Sequence, residues 1–229
     1  MAALNRLSIA VVVPTWNEAR ALPRLLDALQ HLDVDEVVVA DGGSTDRTVD
    51  LAGGYGVTVV KAPRGRAKQL AAGARASTAD VMWFVHADAV PPPGSATLVR
   101  EVLSADDVIG GSFLLHTVGE RAEPLWLRIA DLRSRLTRYP YGDQAIFLRR
   151  EAYDAIGGVP DVAMFEDVEL IRAVRPLGRL VSLPLEVRAS GRRFETNPLY
   201  YGVLMRLFPW LHSAGVSPQR LARWYHAVR

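Results

Sequence analysis

The chain of 229 residues contains no cysteine, and only Lys61 and Lys68 among its 27 basic residues are lysine. The absence of cysteine excludes disulfide bonds, thiolate metal sites and thiol nucleophiles, and it is typical of an intracellular protein. The formal net charge is only +2, without the clustered basic excess of a dedicated nucleic-acid-binding protein, so we expect no nucleic-acid partner. The abundant arginine instead suits planar anions such as phosphate.

Long hydrophobic runs are also missing. The apolar run 9–13 is too brief for the core of a signal peptide, and no segment reaches the ~18 apolar residues that span a bilayer. We therefore expect a cytoplasmic protein. Segment 199–211 is apolar at helical spacing but is interrupted by Arg206 and Pro209. Packing on the core or over a ligand is the simpler interpretation of this segment, and peripheral contact with the inner face of the membrane is the alternative.

Apolar residues make up 49% of the chain, which is ordinary for one globular domain, and we predict a single domain over 1–229. Strands and helices alternate through its first part, which predicts an α/β fold with a mostly parallel central sheet and helices on both faces. Beyond the three prolines at 91–93 the pattern becomes mixed. The predicted strands are 8–13, 37–40, 57–61, 81–85, 108–116 and 145–149, and the predicted helices are 19–31, 45–52, 67–77, 95–104, one near 151, 167–175, 199–211 and 218–228, with a long amphipathic stretch at 121–138.

Polar residues follow the predicted strands, where α/β sheets bind ligands. In the turn 41–46, glycine permits tight backbone geometry, and Ser44 or Thr45 is expected to cap the next helix. A simple turn with a cap is the alternative interpretation of this segment. Asp41 precedes the cap at the strand tip, however, where its carboxylate can accept hydrogen bonds from a base or a sugar.

His86 and Asp88 follow the most hydrophobic strand at spacing i, i+2, so both side chains point the same way from an extended segment. A carboxylate beside a nucleotide diphosphate is a usual holder of Mg²⁺ or Mn²⁺. A solvated turn before the prolines is the alternative interpretation.

Three cations, Arg64, Arg66 and Lys68, surround the start of a predicted helix, where they oppose its dipole. An anionic ligand explains them, and a solvated basic loop is the alternative. Glu166 and Asp167 open another helix, where acids are commonly structural. A carboxylate fixed at such a helix start and facing a cleft can also act as a general base.

Taken in order, these motifs resemble those of the family 2 inverting glycosyltransferases, which have the GT-A fold. The resemblance covers roughly residues 8–195. It is closest in kind to the short single-domain bacterial members, including those associated with arsenosugar biosynthesis, which also carry Gly-Arg-Ala-x-Gln and Gly-Asp-Gln-Ala-x-Phe stretches. The matching motifs are Pro14-x-x-Asn17-Glu18, Asp41-Gly-Gly-Ser-Thr-Asp46, His86-Ala-Asp88, Glu166-Asp167 and Arg192-Arg193-Phe194.

The resemblance implies a donor-binding half at 8–90, an acceptor-binding and catalytic half at 91–195, and C-terminal helices at 196–229. It implies a UDP- or GDP-sugar donor, a divalent Mg or Mn ion, and a small-molecule or lipid-linked acceptor whose hydroxyl is deprotonated by Asp167, beside Glu166. The implied donor contacts are Pro14, Asn17, Glu18, Asp41, Gly43, Arg66, Gln69 and Arg193, the metal contacts are Asp88 and His86, and the acceptor contacts are Tyr141, Asp143 and Gln144.

Two motifs depart from the family pattern. The Asp-x-Asp of the family is His86-x-Asp88 here, which reduces the negative charge offered to a metal, and Gln-x-x-Arg-Trp becomes Ser190-Gly-Arg-Arg193-Phe194. A sugar nucleotidylyltransferase is a competing interpretation, but it predicts a glycine-rich, lysine-containing loop after the first strand, which 14–18 is not. A nucleotide-sugar-binding protein without transferase activity is the non-enzymatic alternative.

Overall fold

A computed structural model describes residues 6–119, 131, 140–191 and 198–226. The strands in these ranges are β1 (Ile9–Thr15), β2 (Glu36–Asp41), β3 (Thr58–Lys61), β4 (Val81–Phe84), β5 (Ala89–Val90), β6 (Val108–Val118), β7 (Phe147–Arg149) and β8 (Arg179–Ser190). The helices are α1 (Leu22–Gln30), α2 (Thr48–Gly54), α3 (Arg66–Arg75), α4 (Ser95–Val102), α5 (Arg150–Ala155), α6 (Glu166–Val174), α7 (Pro198–Ser213) and α8 (Pro218–His226). Short 3₁₀ turns cover Gly142–Gln144 and Arg175–Leu177.

The strands form one sheet in the order β3-β2-β1-β4-β7-β6-β8-β5. The first four strands in that order are parallel, β7 runs antiparallel to both of its neighbours, and β6 and β8 are again parallel. The predicted α/β fold with a mostly parallel sheet is therefore confirmed. The crossover helices leave the carboxyl ends of β1, β2 and β4 together at one edge.

Hydrophobic layers cover both faces of the sheet. All seven residues of β1 are buried, as expected of a strand between two helical layers. Because side chains alternate along a strand, Val11 and Trp83 belong to the layer that contains α1, whereas Val12 and Met82 belong to the layer that contains α3 and α6. This second layer fixes α3 and α6, and the charged residues Arg66 and Glu166 lie at the starts of these two helices.

Two sequence expectations were wrong in detail. Strand β8 was not predicted, because Pro184 and alternating charged residues hide its apolar positions, yet it pairs with β6 along most of its length. Helix α2 begins at Thr48 rather than at 45. Neither Ser44 nor Thr45 caps it, and the carboxylate of Asp46 instead accepts the Thr48 N–H at 3.0 Å.

The two C-terminal helices were predicted and are present. Phe208 of α7 and Leu221 of α8 are buried against Phe165 and Val168 at the start of α6. Within the part of the chain that the structure describes, no helix combines the length and the apolar character needed to cross a membrane. The predicted amphipathic stretch 121–138, apart from Asp131, and the motif 192–194 lie outside the described residues.

Candidate active site

The loops that follow β1 and β2 are tied to each other at the carboxyl edge of the sheet. Thr15 and Asp41 are register partners at the strand tips. The side-chain oxygen of Asn17 accepts the Thr45 N–H at 2.8 Å, and the Asn17 N–H donates to the Ser44 hydroxyl at 2.8 Å. The Glu18 N–H donates in turn to the hydroxyl of Thr48 at 2.8 Å. Pro14 lies inside β1, so the predicted donor residues 14–18 and 41–46 do meet in one place.

Asp41 shapes the turn that it begins. Its side chain is buried and accepts the N–H groups of Gly43 and Ser44 at 2.9 Å each, together with the hydroxyls of Ser44 and Thr15. Gly43 has φ +87°, a conformation that a side chain would strain, and no atom lies near its missing Cβ. The buried Asp41 side chain therefore fixes the conformation of the turn, while the backbone at Gly43 stays accessible.

Two glutamines predicted to contact ligands are instead buried within the protein. Gln69 donates to the carbonyls of Thr15 at 2.6 Å and Ala40 at 3.1 Å, which holds α3 beneath the tips of β1 and β2. Gln144 donates to the Phe113 carbonyl at 2.9 Å and accepts the Tyr141 N–H at 3.1 Å. Since backbone groups occupy both amides, we correct the expected donor and acceptor contacts to positioning roles.

Arg66, at the start of α3, forms an ion pair with Glu166, at the start of α6, with 2.8 Å between Nε and Oε1. Burial raises the pKa of Glu166, and the charge of Asp167 acts in the same direction, while Arg66 opposes both. Glu166 in turn raises the pKa of Arg66, with smaller contributions from Asp167 and Asp143. The protein itself therefore supplies a negative charge for Arg66, where the sequence analysis invoked an anionic ligand. Glu166 holds Arg66 in position and does not face a substrate.

About half of the Arg66 side chain is exposed (46%), and only its Nε takes part in the ion pair with Glu166. The remaining N–H groups of the guanidinium can donate to an external anion. Arg64, two residues earlier, stacks its guanidinium over the ring of Trp16 at 3.4 Å from the centroid. Trp16 precedes Asn17 in the loop after β1. The segment 64–66 therefore borders the joined loops, and an anion bound there could accept hydrogen bonds from the guanidinium of Arg66.

Asp167 lies beside the half of the site that the loop 141–144 contributes. Its Oδ2 accepts the Gly142 N–H at 2.6 Å, and its Oδ1 accepts the N–H of Val168 at 2.8 Å. A Cβ on Gly142 would lie 2.7 Å from Nε2 of His86 and 3.3 Å from Oδ2 of Asp167. Gly142 thus brings His86, which follows β4, and Asp167, which opens α6, against the same small residue.

Backbone strain is concentrated around these loops. Among the described residues, three without a glycine's freedom have positive φ: Asn17 (55°), Ala145 (49°) and Phe165 (65°). They lie after β1, after the 142–144 turn and directly before Glu166. Such conformations persist only where the surroundings enforce them, and they collect at functional sites.

The donor set for a metal is small. In residues 6–119, 140–191 and 198–226, no group of three or more His, Asp or Glu side chains could hold an ion. His86 and Asp88 offer one imidazole and one carboxylate on half-buried positions. That set fits Mg²⁺ or Mn²⁺ when substrate phosphates supply further oxygen ligands, because such ions are commonly bound by one or two carboxylates plus phosphates.

His212 on α7 was not among the predicted site residues. Its Nε2 lies 2.7 Å from Oε1 of Glu169, and its ring stacks on Phe165 with 4.9 Å between centroids. The contact joins residues 43 positions apart, so no local periodicity could have revealed it. Arg193, a predicted donor contact, lies outside the described residues.

Comparison with known proteins connects this geometry to a family. The model of the family described as Glycosyl transferase family 2 matches residues 10–165. An uncharacterized glycosyltransferase of Mycobacterium tuberculosis is 32% identical over 215 residues, which cover 89% of this chain and 96% of that protein. An uncharacterized glycosyltransferase of Nostoc sp. is 31% identical over 114 residues, 45% of this chain. The match spans only 35% of the length of the Nostoc relative.

Solved structures share the fold. A mannosyltransferase from Pyrobaculum calidifontis in complex with GDP-Man and Mn²⁺ superposes with a TM-score of 0.68 at 24% identity, over 98% of this chain and 69% of that chain. Glucosyl-3-phosphoglycerate synthase from Mycobacterium tuberculosis, with Mn²⁺ and UDP, superposes with a TM-score of 0.56 at 22% identity, over 79% of this chain and 70% of that chain.

Proposed function

Because the chain belongs to glycosyl transferase family 2, a family of transferase enzymes, and has the GT-A fold, we propose that it transfers a sugar from UDP- or GDP-sugar to an acceptor hydroxyl with inversion at the anomeric carbon. One observation carries the proposal furthest. The Asp167 carboxylate is fixed by the Gly142 N–H at 2.6 Å, beside His86 at the edge where β1, β2 and β4 end. The narrower arsenosugar-associated subgroup stays a prediction.

The donor side of the proposal is the joined pair of loops 14–18 and 41–46 within the half 8–90. Asn17, Glu18 and the open backbone at Gly43 would contact the nucleoside, and the buried carboxylate of Asp41, which accepts hydrogen bonds from Gly43 and Ser44, would hold that backbone in place beside the base. Arg66 would lie against the nucleotide, and Arg193 would steady the diphosphate. The P. calidifontis mannosyltransferase was solved with GDP-Man and the mycobacterial synthase with UDP, which supports a nucleotide-sugar donor for this chain.

Asp167 is the proposed general base. It takes the proton of the acceptor hydroxyl while the oxygen attacks the anomeric carbon, and the bond to the diphosphate breaks on the opposite face with its electron pair leaving on the diphosphate. The two backbone N–H donors hold the carboxylate in one orientation during this step. Tyr141 and Asp143, in the half 91–195, would contact the acceptor. Asp88, with His86, would hold Mg²⁺ or Mn²⁺, whose charge stabilises the departing diphosphate when the ion is bound.

Calorimetric titration tests the donor site. Wild-type protein should bind UDP or GDP in the presence of Mn²⁺, and Asp88→Ala should weaken that binding by at least ~10-fold, since even outer-shell losses at metal sites cost that much. Without Mn²⁺ the two proteins should bind equally. Asp106→Ala changes an exposed aspartate and serves as the matched control. Absence of binding heat with every uridine and guanosine nucleotide would contradict the proposed donor class.

The outer face of the C-terminal helices supports a peripheral membrane contact through segment 199–211. Val203, Leu207 and Trp210 recur at helical spacing and are 60%, 43% and 65% exposed, while the basic Arg220 and Arg223 of α8 are exposed as well. Such a face suits an anionic lipid surface at the inner side of the membrane, and with it a lipid-linked acceptor. The cytoplasmic location expected from the sequence is compatible with this proposal.

Co-sedimentation with phosphatidylglycerol vesicles measures this contact. We expect part of the wild-type protein to pellet, and Trp210→Ser to return most of it to the supernatant, because an interfacial tryptophan contributes much of the buried area. Trp224→Ser is the second variant, because Trp224 is also exposed, whereas Trp83 is fully buried in the core. Wild-type protein that stays entirely in the supernatant would refute the membrane contact, and this result would leave the proposed donor site unaffected.

A further inference from the structure

Helix α6, which carries Glu166 and Asp167, begins after a residue in a conformation that only glycine adopts readily. Phe165 directly precedes the helix with φ 65° and ψ 29°, in the left-handed region. A residue at this position usually has an extended backbone and caps the helix with a side-chain oxygen. Phe165 has no such oxygen, and among the described residues no side-chain hydrogen bond caps α6. Other parts of the protein must therefore hold the start of this helix.

His212 of α7 contacts both ends of the first turn of α6. Its ring stacks on the ring of Phe165, with 4.9 Å between the centroids and 10° between the planes. Its Nε2 lies 2.7 Å from Oε1 of Glu169, four residues further along the chain. The N–H of Glu169 donates to the carbonyl of Phe165 at 2.9 Å, so His212 spans the first hydrogen-bonded turn of the helix. Its Nδ1 is shielded from solvent, so the ring acts by packing and not by holding a ligand.

The position of the Asp167 carboxylate depends on how this turn is placed. Its Oδ1 accepts the N–H of Val168, which belongs to the same helix and moves with it. Its Oδ2 accepts the N–H of Gly142 at 2.6 Å, and this hydrogen bond relates the carboxylate to the loop 141–144. Because φ and ψ are the only soft torsions of a residue, a return of Phe165 to extended backbone would redirect the start of α6. Oδ2 would then move away from Gly142.

We propose that His212 and Phe165 are positioning residues of the transfer reaction. Their stacked rings keep Phe165 in its left-handed conformation and thereby hold the carboxylate of Asp167 against Gly142. This inference rests on the proposed role of Asp167 as the general base. It gives the C-terminal helices a part in the reaction, because α7 supplies both His212 and Phe208, which is buried against the same turn of α6.

Two substitutions of Phe165 separate the backbone conformation from the packing of the ring. Both glycine and alanine remove the ring, but glycine adopts the left-handed conformation without strain and alanine does not. We expect Phe165→Ala to lower kcat by ~10²-fold, the effect of misplacing a catalytic group by about 1 Å, and Phe165→Gly to lower it less. In an Asp167→Asn background, Phe165→Ala should cause no further loss, because no base is left to position. Equal losses from the two substitutions, or full additivity with Asp167→Asn, would overturn the proposal.

A second pair of variants tests the stack from the side of α7. His212→Phe keeps a flat ring against Phe165, whereas His212→Leu keeps an apolar side chain without one. Both lose the contact with Glu169, so the difference between them measures the stack alone. We expect His212→Leu to lower kcat and His212→Phe to retain more of it, with the Kd of UDP or GDP with Mn²⁺ unchanged in both. His31→Leu, at an exposed histidine, is the matched control. Equal kcat values for the two His212 variants would contradict a role of the stack.

The amide of Gly142 reports the position of the carboxylate without any turnover. In protein labelled with ¹⁵N-glycine, Phe165→Ala should move the Gly142 resonance toward its position in Asp167→Ala, where the hydrogen bond is lost. Phe165→Gly should move it less, and the resonance of Gly43, which donates to Asp41 at 2.9 Å, should stay in place.

This measurement also separates the inference from the function on which it rests. A Gly142 resonance that Phe165→Ala and His212→Leu both leave unmoved would overturn the positioning role. If the resonance moves as expected but the wild-type protein transfers sugar from no UDP- or GDP-sugar, the result counts against the proposed function alone, and the link from His212 to the carboxylate of Asp167 stands.

Discussion

Replacement of Asp167 by asparagine should lower the turnover of sugar transfer by ~10²–10⁴-fold, the usual contribution of a general base. Asparagine retains the shape of the side chain, and its oxygen can still accept the Gly142 N–H that Asp167 accepts at 2.6 Å. What it loses is the ability to take the proton of the acceptor hydroxyl, together with the oxygen that accepts the Val168 N–H at 2.8 Å. Release of nucleoside diphosphate at saturating donor measures the effect, and the Kd of the nucleotide should stay at the wild-type value.

The matched control for this variant is Asp161→Asn, an exposed aspartate that precedes α6 and removes the same charge. It should leave turnover unchanged. A fall in kcat with an unchanged nucleotide Kd identifies a group that acts in the transition state. If Asp167→Asn turned over as fast as the Asp161→Asn control, Asp167 would have no role as the base and another acceptor of the proton would have to be sought.

The parts of the fold that were predicted correctly are those specified by local pattern. The buried run in β1 and the leucines of α1 repeat at the spacing of their own element, so each can be read without knowing its partner. Strand β8 depends on a partner instead. Its mixture of polar and apolar residues is a weak strand signal in isolation. The strand forms by pairing with β6, which is distant in sequence: Asp107, just before β6, lies 72 residues before Arg179.

The candidate site shows the same division. Motif order predicts that Asp41, Arg66 and Asp167 face one site, since the ends of parallel strands share one edge. Among the described contacts, the ion pair of Arg66 with Glu166, the neighbour of Asp167, brings two of these segments together. The resemblance assigned the role of base to Asp167 and placed Glu166 beside it, but it could not show that Glu166 pairs with Arg66. Two consecutive helical residues point about 100° apart, and only the packing of α6 on α3 decides which one meets Arg66.

Burial accounts for the other corrections. The glutamines at 69 and 144 resemble ligand contacts in sequence, but each occupies a place where backbone carbonyls of another segment need a donor. The position of His212 beside Glu169 follows only from the packing of α7 against α6. Interactions between distant segments therefore determine which members of a motif contact a ligand and which hold the others in place.

Gly142 offers the sharpest test of that distinction, because it donates to Asp167 and also leaves room for His86. Alanine is compatible with its backbone, since Gly142 is not among the glycines with positive φ. The added Cβ would nevertheless lie 2.7 Å from Nε2 of His86 and 3.3 Å from Oδ2 of Asp167, so at least the imidazole must move. We expect Gly142→Ala to lower turnover by ~10²-fold, the effect of misplacing a catalytic group by about 1 Å.

The loss of activity should exceed the loss of stability. Overpacking beside side chains that can shift costs about 1–3 kcal/mol at most, which thermal unfolding would report as a moderate decrease in Tm. Gly53→Ala is the matched control, because no atom lies within 4 Å of its added Cβ and alanine favours the helix that contains it. A Gly142→Ala protein with wild-type turnover would show that the close approach of His86 and Asp167 at this glycine is incidental. If turnover falls while Tm is nearly kept, the space at Gly142 serves the chemistry, because the residue then matters for where the carboxylate lies and not for whether the chain folds.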